Sequence, residues 1–198
     1  MPKIVDHPAR RREISAIAAT LIAEGGMEVA TIREIAHRSG YSKGVIEHYF
    51  NGKAELISGA LDWVNQGYAS RAAQATFGLS GLAALRKRIE AILPLNRAVT
   101  NEWKVRLVFW STAAIETELR TQQAERFENA VEFYASDIRV AIEQGDIAAG
   151  SAAKPLAHRL FASTIGLSTT ALYSPSLSSK LYFRDEIDHL IHRLILGL

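Results

Sequence analysis

Apolar residues recur at helical spacing from the first turns of this chain onward. Ile14, Ile17, Ala18, Leu21 and Ile22 follow the i, i+3, i+4, i+7, i+8 pattern, which predicts a first helix over 8–24. Gly25-Gly26 supply its C-terminal stop. Thr31-Ile32-Arg33-Glu34 has the form of a capping box, in which the Thr31 hydroxyl accepts from the N–H three residues on and Glu34 reaches back. It opens a short second helix, 32–38, with Ile32, Ile35 and Ala36 on one face. Gly40 supplies the left-handed residue that ends it. Ser42 is an N-cap for a third short helix, 43–49, with Ile46 and Phe50 facing inward.

Asn51-Gly52-Lys53 break the chain again, and Leu56, Ile57, Ala60, Leu61 and Val64 begin a long fourth helix, 53–77. Beyond it the pattern predicts helices over 80–93 (ended by Pro94), 98–115, 118–144 (ended by Gly145), 152–173 and 183–196. Pro155 falls in a first helical turn, where a missing N–H is tolerated. The stretch SPSLSSK, 174–180, reads as a loop. No sustained period-2 alternation marks a strand. The expected fold is all-α with nine helices: a three-helix unit over 1–52, a helical bundle over 53–198, and helix 53–77 connecting them.

Composition narrows the chemistry. Cysteine is absent, which excludes disulfides, thiolate zinc sites and cysteine nucleophiles. The opening MPKIVDHPARRR lacks the apolar stretch of a secretory signal, and no window approaches 18 uninterrupted apolar residues, so a cytoplasmic protein with no membrane partner is expected. Residues 1–60 carry eight Lys+Arg against seven Asp+Glu, so any binding to nucleic acid depends on where cations sit rather than on their number.

Residues 39–45, SGYSKGV, contain a literal G-x-S-x-G, the nucleophile elbow of serine hydrolases. That elbow is a strand-to-helix turn in an α/β sheet, and here a capped amphipathic helix precedes Gly40. Two short helices joined by the tight turn Ser39–Ser42 instead have the proportions of a helix-turn-helix, whose second helix enters the DNA major groove. Ser42 is then a helix cap. No catalytic residue is assigned.

The segment "TIREIAHRSGYSKGVIEHYFNGKAELI" resembles the DNA-binding signature of the TetR family of bacterial transcriptional repressors. The shared features are a Thr opening the second helix, Ile-Ala within it, Gly-x-Ser-x-Gly at the turn, an aromatic-Phe pair ending the third helix and a Lys beginning the fourth. "GVIEHYF" is closer to the BetI-like branch, named for regulators of choline-to-betaine metabolism, and "NEWKVRLVFWSTA", 101–113, resembles the "EWRVWLAFW" stretch of that branch. The aromatic that many relatives carry at the position of Glu47 is absent.

The resemblance implies a DNA-binding surface of Thr31, Arg33, Ser42, Lys43, Gly44, Val45, Glu47, His48, Tyr49 and Lys53. Lys43 can donate to guanine O6 or N7 and Val45 can pack on a thymine methyl, with Gly44 permitting close approach. Glu47 has two readings: it accepts from a cytosine N4 amine, or it faces solvent and holds a neighbouring Arg or Lys. His48 and Tyr49 offer donors to phosphate oxygens, packing being the alternative for His48. Lys53 stands where the N-terminal N–H groups of a helix favour an anion. Arg10-Arg11-Arg12 either reach the DNA backbone or are solvated.

The family also implies a homodimer built from the last two helices, bound to a palindromic operator in double-stranded DNA. Leu156, Leu160, Ser163 and Leu167 recur along one stripe, Gly166 and Thr170 permit close approach, and Ile187, Leu190, Ile191 and Leu194 extend the surface. An intramolecular core has the same pattern. The middle helices are expected to enclose an unknown small-molecule effector: Trp103, Leu107 and Trp110 share a face, and Phe77, Phe127, Tyr134 and Phe161 complete the lining unless the stripe is simply core. Were the effector a quaternary ammonium, the indoles would supply cation–π contacts and Glu116 a balancing charge. His189, His192 and Asp188 lack the further ligands of a zinc site, and no metal or cofactor is implied. The sequence therefore points to a ligand-released transcriptional repressor, with an all-α small-molecule-binding protein or enzyme lacking DNA affinity as the rival.

Overall fold

The computed structural model describes residues 6–195. Nine α-helices follow one another among the described residues: α1 (His7–Val29), α2 (Ile32–Ser39), α3 (Lys43–Tyr49), α4 (Lys53–Thr76), α5 (Gly81–Ile92), α6 (Arg97–Ala113), α7 (Thr117–Glu143), α8 (Ala153–Ala171) and α9 (Lys180–Ile195). A single 3₁₀ turn, Pro175–Leu177, separates α8 from α9. Among the described residues there is no strand, and no helix is long and apolar enough to cross a membrane.

Local chemistry sets the ends. Asp6 caps α1 by accepting from Ala9 N–H at 2.9 Å. The helix breaks at Gly25-Gly26, where Gly26 lies at φ 71°, as the glycine pair predicts. Leu93 is extended because Pro94 follows it, and α5 stops there. α9 begins three residues earlier than its apolar pattern indicates, since Ser179 Oγ accepts from Tyr182 N–H at 3.1 Å and caps the first turn.

The chain divides into two compact units. The first comprises residues 6–67 and 101–115. It extends past the expected boundary at residue 52 because Leu56, Ile57, Ala60, Leu61 and Val64 of α4 are all buried, as are Trp103, Val105 and Phe109 of α6. Arg106 Nη2 donates to Val64 O at 3.4 Å and Lys104 Nζ to Ala23 O at 3.3 Å, tying α6 to α4 and α1. The second unit comprises residues 68–100 and 116–195. Its core is built from Leu85 and Ile89 of α5, Val131, Ala135 and Ile138 of α7, Ala157 and Leu160 of α8, and Phe183 and Ile187 of α9. Arg88 of α5 grips Asp137 of α7 through two nitrogens, at 2.7 and 3.3 Å.

Candidate nucleic-acid interface

The turn between α2 and α3 is held by its own short side chains. Thr31 Oγ1 accepts from Glu34 N–H at 3.1 Å, so half of the expected capping box forms. The other half does not. Thr31 N–H donates to Val29 O at 2.8 Å, and the Glu34 carboxylate turns to Arg38 Nε at 3.2 Å. Gly40 ends α2 at φ 70°, ψ 11°, in the left-handed region. Ser39 Oγ accepts from Tyr41 N–H at 3.3 Å, and Ser42 Oγ from Val45 N–H at 3.4 Å.

Ser42 is therefore a cap. The segment before Gly40 is helix, which removes the strand a nucleophile elbow requires. Ser42→Ala is expected to cost about 1 kcal/mol or less, given the long cap bond, and a urea melt checks it.

Arg33, Ser42, Lys43, Gly44, Glu47, His48 and Lys53 are exposed, while Val45 is half-buried. Thr31 is exposed but engaged as a cap. Tyr49 departs from the expectation of a free phosphate donor: it is 9% exposed and its hydroxyl lies 2.7 Å from His7 Nδ1. His48 stands edge-on to the Tyr49 ring, 5.2 Å between centroids, and keeps its outer side in solvent. Tyr41 OH donates to Glu13 Oε2 at 2.6 Å, and that carboxylate raises the phenol's pKa above its ordinary value.

Glu47 Oε1 lies 3.2 Å from Lys43 Nζ, one helical turn away and on the exposed face. This geometry matches the second of its two readings. Glu47→Gln is expected to strengthen binding to any duplex by about threefold and to steepen the salt dependence, because the negative charge beside Lys43 would no longer repel DNA phosphates. Anisotropy titrations on two unrelated duplexes check this. A loss of affinity confined to one base pair would instead mean that Glu47 accepts from cytosine.

The residues expected around an effector fall into both units. In the first, Trp103 is 1% exposed and meets Trp110 edge-to-face at 5.7 Å, with Leu107 and Trp110 half-buried. The face of Trp103 is already covered by the guanidinium of Arg106 at 5.5 Å, itself paired with Glu102 at 3.4 Å. In the second, Phe161 stands edge-to-face with Phe127 at 5.6 Å and with Tyr134 at 5.7 Å. Burial drives the Tyr134 phenol pKa well up. Gln123, one turn before Phe127, is 9% exposed, and its Oε1 has no hydrogen-bond partner among the described residues. Glu116 is exposed at the start of α7. Phe77 lies past the end of α4, where no helix packs over it, and at 89% exposed its ring faces solvent.

Of the expected dimer stripe, Leu156, Leu160, Ile187 and Ile191 are buried within the chain's own core. Their spacing points them inward with Ala157 and Ala171, as the intramolecular reading required. Ser163, Leu167 and Leu190 are half-buried, Gly166 and Thr170 are exposed, and the side chain of Leu194 lies outside the described residues. His189 and His192 are exposed, Asp188 pairs with Arg86, and no described cluster of three His, Asp or Glu is placed to hold a metal ion.

Sequence reasoning missed His7, Glu13 and the role of Arg11, whose partners lie 28 to 44 residues away. No local pattern signals such pairs.

Comparison with known proteins gives the following. Residues 14–60 match the family described as "Bacterial regulatory proteins, tetR family". Residues 82–196 match the family described as "BetI-type transcriptional repressor, C-terminal". The chain is similar to the HTH-type transcriptional regulator BetI 1 of Chromohalobacter salexigens, at 33% identity over 62% of this chain, and it spans only 62% of that relative's length. It is similar at 29% identity to the HTH-type transcriptional regulator PksA of Bacillus subtilis, over 88% of this chain and 84% of the relative. Among solved structures, a transcriptional regulator from Saccharomonospora viridis in complex with choline superposes with a TM-score of 0.83 at 25% identity, covering 95% of this chain and 98% of that one.

Proposed function

We propose, from the premise that this chain belongs to the tetR family of bacterial regulatory proteins, that it is a sequence-specific DNA-binding repressor released by a small-molecule ligand. The observation that carries the reading is the exposure of Arg33, Lys43, Gly44, His48 and Lys53 on and beside a helix-turn-helix, within the matched segment 14–60. The start of α3 presents Lys43 to guanine O6 or N7 and Val45 to a thymine methyl, while Gly44 adds no bulk between them. Lys53 and the free N–H groups that open α4 receive a phosphate. Arg33 reaches a neighbouring base edge or phosphate.

One such helix reads few base pairs, so two copies bind related half-sites. Ser163, Gly166, Leu167, Thr170 and Leu190 are the surface left for the second copy. A side chain added at Gly166 would meet open space, which leaves room for another helix to approach. Release follows from differential affinity: an effector that binds the conformation unable to span both half-sites weakens DNA binding by that difference and no more. A quaternary ammonium is the first effector to test. The choline-bound relative and the match to the BetI-type family support it.

Hydroxyl-radical footprinting of the DNA upstream of the chain's own gene tests the reading. Two protected patches related by two-fold symmetry, about one or two helical turns apart, are expected, and choline should erase them if the cation is the effector. One unsymmetrical patch would contradict the dimer, and no protection would contradict the repressor.

A further inference from the structure

Arg11 stands in α1 among three consecutive arginines and its side chain is partly exposed, yet its guanidinium is engaged by the protein's own groups. One terminal nitrogen donates to the backbone carbonyl of Tyr49, the last residue of α3. That carbonyl is among those a helix end leaves without an intrahelical partner. The other donates to Glu55 Oε1 at 2.7 Å, in the first turn of α4. Glu55 in turn accepts Asn51 N–H on Oε2 at 2.8 Å, so one carboxylate holds both the connecting turn and the arginine. The guanidinium plane also lies over the buried ring of Phe50, 4.3 Å from its centroid. One turn earlier on α1, His7 takes the Tyr49 hydroxyl. All these residues belong to the first unit.

We infer that Arg11 is a positioning residue for the recognition helix: it fixes the C-terminal end of α3 to the start of α4 and sets the angle at which Lys43 and Gly44 meet the bases. The inference rests on the DNA-binding reading above and deepens it. The fork of the guanidinium is what lets one side chain satisfy a carbonyl and a carboxylate at once, and an ammonium lacks that fixed geometry. Arg10 differs, its guanidinium lying 4.9 Å from the centre of the Tyr41 ring in the turn before α3. Of the arginine run, Arg11 is the one that joins α3 to α4.

The test is fluorescence anisotropy with the full chain on a labelled duplex from upstream of its own gene and on a scrambled duplex, at several salt concentrations. Arg11→Met is expected to weaken the native duplex about tenfold or more, as befits loss of charge-assisted bonds at the reading helix. Its log–log salt slope and its affinity for the scrambled duplex should equal those of the unaltered protein. Arg11→Lys should recover part of the loss. Glu55→Gln should weaken the native duplex in the same way, and the double variant should be no worse than Arg11→Met alone. An unchanged affinity for the native duplex overturns the inference. So does a slope reduced by about one with both duplexes equally weakened, the signature of a phosphate contact. Failure of the unaltered protein to bind either duplex overturns the DNA reading itself and this inference with it.

Discussion

Replacing Gly44 by alanine should make the free protein more stable and its DNA complex weaker. Gly44 is the second residue of α3, exposed and helical, and a methyl group added there meets nothing within 4 Å. Nothing in the fold requires a glycine. Alanine in a helix is favoured over glycine by about 0.5–1 kcal/mol, so urea unfolding should show a gain of that size. The glycine carries a cost in the free protein that something else must repay. On the proposed docking, the same methyl group stands between the helix and the base edges. The native duplex should then be bound about 10- to 100-fold more weakly, the size of one disrupted base contact. A variant that gains stability and keeps full affinity would turn this face of α3 away from the groove.

The second large effect lies in the other unit and concerns folding. Arg88 and Asp137 are side chains only 16% and 13% exposed, joined through two nitrogens, and they clamp α5 to α7. Asp137→Ala leaves the guanidinium in a poorly solvated site over the face of the Phe133 ring, 5.3 Å away, with no carboxylate to balance its charge. Removing one partner of such a pair costs about 3 kcal/mol, whereas replacing both by apolar residues is often neutral. Urea denaturation should therefore find Asp137→Ala strongly destabilised and Arg88→Met/Asp137→Leu close to the parent. A loss under about 1 kcal/mol in the single variant would mean that water already screens the pair.

The helices were legible in the sequence because their signals are local. Spacing, caps and breakers such as Gly40, Ser42, Pro94 and Gly145 act within a few residues, and each ends or begins an element where it stands. The exposed residues of α3 were legible for the same reason. What depends on distant contacts was not. From the sequence alone Tyr49 is a donor to phosphate, because its partner His7 lies 42 residues away, and Arg11 is only a phosphate-seeking or solvated cation, because its acceptors are on α3 and α4. The apolar stripe of α8 could serve a dimer or a core equally well. Periodicity gives a face and not what covers it, and Leu156 and Leu160 prove to be covered by their own chain.

The two aromatic groupings illustrate a further limit. Trp103 and Trp110 share a helix face, as their spacing requires, but the cation over Trp103 is Arg106 from the same helix. An aromatic stripe therefore announces cation affinity without saying whether the cation is already present. In the second unit the acceptor of Gln123, buried one turn from Phe127, is a polar group that a ligand N–H or O–H would satisfy, and no spacing rule singles it out.

Sequence-specific DNA recognition is tested most directly by fluorescence anisotropy, with the unaltered protein titrated into the upstream duplex and a scrambled one at two salt concentrations. The upstream duplex should be bound at least about a thousandfold more tightly, with both affinities falling steeply as salt rises. Equal affinity for the two duplexes, or none for either at low salt, would contradict it.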